Sequence, residues 1–196
     1  MKKIIITILT LTAFIFAQDF KYVGNSSCKM CHKKEAKGAQ FTKWAAGHHA
    51  GAFETLKSEE SAKIAADKGI KGDAWKAPEC LKCHTTGFGK GGYEVKCDAF
   101  WNPAADDKAG AKAVKRMKGL EAVGCETCHG AGSKYKSSKT MKAIYAGEID
   151  GSTVGLTKID ESTCTVCHNE ESPTYKPFNF KEKIKEVQHP IPPQAE

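Results

Sequence analysis

Apolar residues recur along this chain in short helical windows, not in the strict alternation of strands. From Lys33 to about Lys57, Phe41, Trp44, Ala45 and His48 fall at three- and four-residue intervals, which predicts helix with one apolar face, broken near Gly38 and Gly47. A second helix is expected over Ser58–Lys68: Ser58 can cap it, Glu59 and Glu60 suit its first turn, and Gly69 can end it. Asp106–Lys118 before Gly119, Ser138–Ala146 before Gly147, and Lys181–Gln188 before Pro190 read the same way. Between them lie a polar lead-in at 18–27, a glycine-rich turn with a short hairpin at 85–95, and a loop at 148–160. The expected class is mostly α with long irregular loops.

The N-terminus follows another pattern. Met1-Lys2-Lys3 precedes an apolar run from Ile4 to Phe16, interrupted only by Thr7, Thr10 and Thr12, with the small residue Ala17 after it. A basic start, a short apolar run and a small residue describe a cleaved signal peptide, 1–17. The run is shorter than the roughly 20 residues a membrane-spanning helix needs. No cysteine stands at the cleavage point, and no later stretch is long enough to span. Residues 18–196 are then one domain, located in the periplasm or further outside.

Eight of the nine cysteines fall in one repeated string, Cys-x-x-Cys-His: Cys28/Cys31/His32, Cys80/Cys83/His84, Cys125/Cys128/His129 and Cys164/Cys167/His168. Thiols at i and i+3 stand about one helical turn apart, so both can bond the vinyl groups of one porphyrin, and the histidine at i+4 is carried under the iron as its proximal ligand. Four copies in an exported chain argue against disulfides, against four-thiolate zinc and against thioredoxin-like redox motifs. The reading is a multihaem cytochrome c fold organised around four covalently bound haems. First cysteines at 28, 80, 125 and 164 are unequally spaced, which excludes a strict solenoid.

Composition agrees. The apolar fraction of 40% is rich in alanine and diluted by 18 glycines, so a protein-only core would be thin for this length. Porphyrins would supply the missing apolar mass. The formal charge of +7 falls by two when Lys2 and Lys3 leave. Ferric haems with ionised propionates, at roughly −1 each, bring it near neutrality, so the lysines need not imply nucleic acid.

The sixth iron ligands can be counted. Of seven histidines, four are proximal and His48, His49 and His189 remain. At least one of four irons therefore lacks a distal histidine within the chain. His49 and His189 are the candidate distal ligands. His48 is a possible third, since on a helix it points about 100° from His49. Met117 and Met141 are alternative ligands, with core packing as the plainer reading; Met30, between two attaching cysteines, is poorly placed. Cys97 reads as a small buried or free thiol, and Trp75, Trp101, Tyr93 and Tyr145 as haem-packing or core aromatics.

Several strings together resemble the tetrahaem cytochrome c-554 family: Tyr22-Val23-Gly24 with Cys28–His32; Trp44 with His49-Ala50-Gly51-Ala52-Phe53; Cys83-His84 with Gly87-Phe88-Gly89 and Gly91-Gly92-Tyr93; Val123–Gly130 with Gly132; Cys164–His168; and Lys185–Pro190. They keep the family's order over nearly the whole mature chain. The resemblance implies a mostly helical fold with haems in stacked pairs, three irons with two histidines and one five-coordinate iron. It matches His49 and His189 to distal positions and the His84 haem to the five-coordinate one. The family's founding member accepts electrons from hydroxylamine oxidoreductase in ammonia-oxidising bacteria. The chain departs from the family at Ser133–Met141, where a third distal histidine is expected and none occurs. His48, Lys139, Met141 or a neighbouring chain are the alternatives there.

The expected function is electron transfer between redox partner proteins, with a lysine-rich surface steering an acidic partner. The alternatives are an enzyme acting on nitric oxide, hydroxylamine or nitrite at the open His84 iron, and a subunit of a cytochrome filament. For the enzyme, Lys82, Thr85 and Thr86 make a weak acid–base set.

Overall fold

The computed structural model describes residues 19–191; the expected leader, 1–17, lies outside the described residues. Among the described residues there is no strand. Eleven α-helices follow one another: α1 Ser26–His32, α2 Gln40–Ala45, α3 Ala52–Thr55, α4 Glu59–Asp67, α5 Pro78–His84, α6 Asp98–Trp101, α7 Lys108–Lys118, α8 Cys125–His129, α9 Ser138–Tyr145, α10 Glu161–Thr165 and α11 Phe180–Val187. Short 3-10 turns stand at Glu35–Lys37, His48–Gly51, Ala74–Lys76 and Gly151–Val154. Helices this short gain little from propensity and depend on caps and tertiary contacts. Ser58, Asp107, Ser137, Asp160 and Asn179 each accept a backbone N–H of the first turn they precede.

The breaks at Gly38 and Gly47 are where glycine was expected to place them, with one consequence for the apolar face. α2 ends at Ala45 and Gly47 is extended, so His48 starts a separate 3-10 turn and is exposed. Phe41 and Trp44, 5.2 Å apart between ring centroids, form the face alone. The 85–95 stretch turns without forming a hairpin ladder. Gly87, Gly89 and Gly91 are all left-handed, a run that curls the backbone out of strand geometry. Gly119 ends α7, as expected, but its φ is −69° and its smallness matters for packing: a Cβ there would meet Asn25 N and Gly24 Cα at 3.2 Å. The glycine lets the lead-in to α1 lie directly on the end of α7.

Among the described residues only twelve apolar side chains are buried, and five are alanines. One cluster unites Phe53, Leu56, Ala65, Ala74, Leu81, Tyr93, Met117 and Leu120, drawn from α3, α4, α5, α7 and their connections. Phe53 and Tyr93 sit 5.4 Å apart at its centre, and Trp75, Phe100 and Trp101 pack around it. This core lies beside α5, the second attachment helix. Met117 belongs to it, 2% exposed, with Sδ accepting the Glu94 N–H at 3.4 Å, so it is not a free ligand. Met141 is half-buried on α9, Tyr145 is 45% exposed, and Cys97 is an exposed residue at the start of α6.

Candidate haem sites

α1, α5 and α8 contain the first three cysteine–histidine strings, each closing with its histidine. In the fourth, α10 ends at Thr165, but a turn carries on: Cys167 N and His168 N both donate to the Cys164 carbonyl, at 3.1 and 3.0 Å. The i to i+4 placement of cysteine and histidine is therefore kept in all four.

The segments converge. The Cys28 thiol lies beside that of Cys125, the Cys83 thiol beside that of Cys167, and Cys128 lies within electrostatic reach of Cys164. Thiol to thiol, the attachment segments thus run first, third, fourth, second, while Thr86 ties the second to the third as well. The third is the hub. Glu126, one of the two residues between its cysteines, is 2% exposed and accepts three backbone N–H groups: Val23 at 2.8 Å, Gly24 at 2.7 Å and Gly132 at 2.7 Å. Asn25 adds a bond from Cys125 N to its Oδ1 at 3.0 Å, and its own N–H donates to the Gly119 carbonyl. These bonds tie the lead-in of α1 to α8. On the other side Thr86, two residues past His84, is fully buried. Its hydroxyl donates to Ala122 O at 2.7 Å and accepts from Gly124 N at 2.9 Å and Thr127 Oγ1 at 3.2 Å. Thr157 closes the third side, donating to Cys128 O from its hydroxyl and to His129 O from its N–H.

The histidines fall into two kinds. His129 faces His189 with ring centroids 5.8 Å apart, and His168 faces His49 at 6.1 Å. One metal ion shared by two imidazoles at about 2.0–2.1 Å from each nitrogen sets their centroids roughly 6 Å apart. His189 Nδ1 is buried without a hydrogen-bond partner, a cost that ligation through that nitrogen would remove. Burial, with the charges of His189 and His32, pushes the His129 pKa down to about 4; burial, then His168 and His48, lowers that of His49. Both rings are thus held in the neutral form that binds metal. Phe178 stacks on His168 at 4.7 Å, while His49 is pinned by its carbonyl to Val123 N, whose own carbonyl accepts Trp44 Nε1 at 3.0 Å. The other two proximal histidines have no facing imidazole among the described residues. His84 Nδ1 meets the Ala52 carbonyl at 2.6 Å, and His32 Nδ1 meets Gln40 Oε1 at 3.3 Å. In each, Nδ1 is engaged by an oxygen acceptor and Nε2 is left for metal. The paired rings, the orphaned nitrogen and the sparse core all fit haem.

A model of the family "Cytochrome c554 and c-prime" matches residues 27–102 and 94–130. Cytochrome c-554 of Nitrosomonas europaea is 30% identical over 200 residues, covering 87% of this chain and 75% of that protein. The chain belongs to the cytochrome c-554 family. The solved structure of the reduced state of cytochrome c554 from the same organism superposes with a TM-score of 0.53 at 28% identity, covering 86% of this chain and 78% of that one. The protein is accordingly a mostly helical, multihaem c-type cytochrome, an electron carrier with four covalently bound haems.

Against this family the remaining candidates can be placed. His48 is exposed and within electrostatic reach of Glu186 of α11; among the described residues no proximal histidine faces it. Lys139 is exposed on α9. Lys136, in the stretch where the family's third distal histidine is missing, lies within electrostatic reach of Cys28. Sequence reasoning overlooked Glu126 and Gln40, and it named Thr86 only within a weak acid–base set, whereas the hydroxyl is buried and fully engaged in bonding α8. The one available signal was a carboxylate between two attaching cysteines, and spacing alone gives that no meaning.

Proposed function

We propose that the chain is a periplasmic electron carrier of one domain, released from its 1–17 leader, which passes electrons between partner proteins. When bound, haem supplies reversible one-electron chemistry at iron. Cys28 and Cys31, Cys80 and Cys83, Cys125 and Cys128, and Cys164 and Cys167 hold one porphyrin each by thioethers. His32, His84, His129 and His168 are the proximal ligands. His189 completes the pair with His129, and His49 with His168. The observation that carries the reading is these two facing pairs, each at the separation a shared iron needs, within four crowded attachment segments. Only the exposed His48 is left for the irons of His32 and His84, and it faces neither, so two irons lack a second histidine where the family pattern leaves one.

The thiol-to-thiol order first, third, fourth, second puts the first and second segments at its ends. Exposed Lys29, Lys33, Lys34 and Lys37 surround the first, with Met30 75% exposed among them. This rim suits an acidic redox partner, and salt would slow the encounter. No helix among the described residues is long and apolar enough to cross a membrane.

Electron paramagnetic resonance of the ferric holoprotein, with intact mass as the haem count, tests the reading. Four haems with two bis-histidine low-spin species, one lost in His49→Ala and the other in His189→Ala, are expected. Fewer than four haems, or signals indifferent to both substitutions, would overturn it. A second reading, small-ligand chemistry at an open iron, draws on the two irons left without a second histidine. Nitric oxide added to ferrous protein separates the two: a shifted spectrum with turnover supports the enzyme, and no shift removes it.

A further inference from the structure

Gln40, the first residue of α2, makes three polar contacts, and together they fix its orientation. Its Nε2 donates to two backbone carbonyls, Lys37 O and Pro190 O, the latter at 3.1 Å. Carbonyl oxygens only accept, so the amide nitrogen must be the atom facing them. The amide oxygen is thereby turned to His32 Nδ1, 3.3 Å away. An amide oxygen only accepts, so Nδ1 must carry the proton and Nε2 must be the bare nitrogen. Pro190 directly follows His189, so one carboxamide touches the first proximal histidine and the tether of a distal one.

The backbone around Gln40 is shaped for this. Gly38 is left-handed, and a Cβ there would come within 2.7 Å of Gln40 Nε2 and 2.9 Å of Pro190 O. Ala39 at φ +48° is the one non-glycine with positive φ among the described residues. Backbone strain of this kind persists where the surroundings over-determine it. The contacts of Gln40 with Lys37, Pro190 and His32 are such surroundings.

We propose that Gln40 is a positioning residue shared by two irons, holding the His32 ring as the Nδ1–H tautomer and tethering the segment that presents His189 to the His129 site. The inference rests on the reading that His32 and His189 ligate haem iron. An acceptor on the far imidazole nitrogen makes the ring a stronger donor to the metal, which favours the ferric state. Gln40→Leu removes that acceptor, so the His32 haem potential rises. Gln40→Glu strengthens it, so the same potential falls. Both variants lose the donor to Pro190, so both acquire a high-spin fraction from the His129 haem. A general packing defect would move the potential the same way in both.

The test is a redox titration of holoprotein, wild type and both variants, followed by electron paramagnetic resonance, with intact mass reporting haem count. Opposite potential shifts at one haem, with high-spin signal gained in both variants, are expected. With four haems present, shifts of one sign or none overturn the role of Gln40 and leave the ligand reading standing. A wild type without haem at Cys28 and Cys31 overturns both. Should the variants fail to take up haem, the ferric wild type decides. A hyperfine-shifted His32 Nδ1–H signal outlasting those of solvent-facing rings in D2O supports the proposal, and its immediate loss overturns it.

Discussion

The third and fourth attachment segments carry the same five-residue signature and are held in opposite ways. α8 is bonded on three sides by groups distant in sequence: the Val23–Asn25 lead-in, Thr86 and Thr157. The fourth is held mostly by itself. Asp160 and Thr163 form a reciprocal capping box on α10, Asn169 Nδ2 closes on the Thr165 carbonyl, and His168 returns to Cys164. Among the described residues its one ion pair to another segment, Glu171 to Lys82, is exposed. The signature alone therefore does not set rigidity; the non-signature residues beside it do. The buried segment fixes where its neighbours stand, and the exposed one is free to follow them.

Four substitutions press on this contrast, read by thermal and chemical unfolding of the holoprotein. Glu126→Ala should cost most, about 3–5 kcal/mol, because three backbone N–H groups lose their acceptor and each unmet buried donor costs about 1–3 kcal/mol. Thr86→Val keeps the shape and removes the hydroxyl, for about 1–3 kcal/mol. A loss at Glu126 no greater than that at Asp160 would erase the distinction between hub and outlier.

Asp160→Ala removes a helix cap and should lower Tm by about 2–4 °C. Hydrogen bonds from Ser162, side chain first, hold the Asp160 carboxyl below its ordinary 3.8. The cap is therefore at full strength above that value and fades as pH falls through the depressed one, so the difference between wild type and variant should vanish in acid. Glu171→Gln is expected to leave Tm unchanged at 0.15 M salt, since an exposed ion pair is screened.

What the chain disclosed about itself follows the same division. α4, α7, α9 and α11 were readable because their caps and apolar spacing are local: Ser58, Asp107, Ser137 and Asn179 each act within three residues. The four signatures were readable for that reason too. Glu126 was not, because two of its three donors stand 102 and 103 residues away, and no window of sequence contains both ends. The facing of His189 to His129 and of His49 to His168 was hidden likewise; the sequence marked His49 and His189 as candidates but not which proximal histidine each would meet. The hairpin expected after His84 failed because three glycines took left-handed conformations that alternation cannot reveal.

The carboxylate bridging Val23 and Gly24 to α8 also imposes an order on biosynthesis. A chain emerging from its N-terminus presents Cys28 and Cys31 long before residue 126 exists to bind the peptide units beside them. Contacts of such separation form late. Until then the peptide units of Val23 and Gly24 have no carboxylate to bind, and the arrival of Glu126 locks the approach to α1 in place.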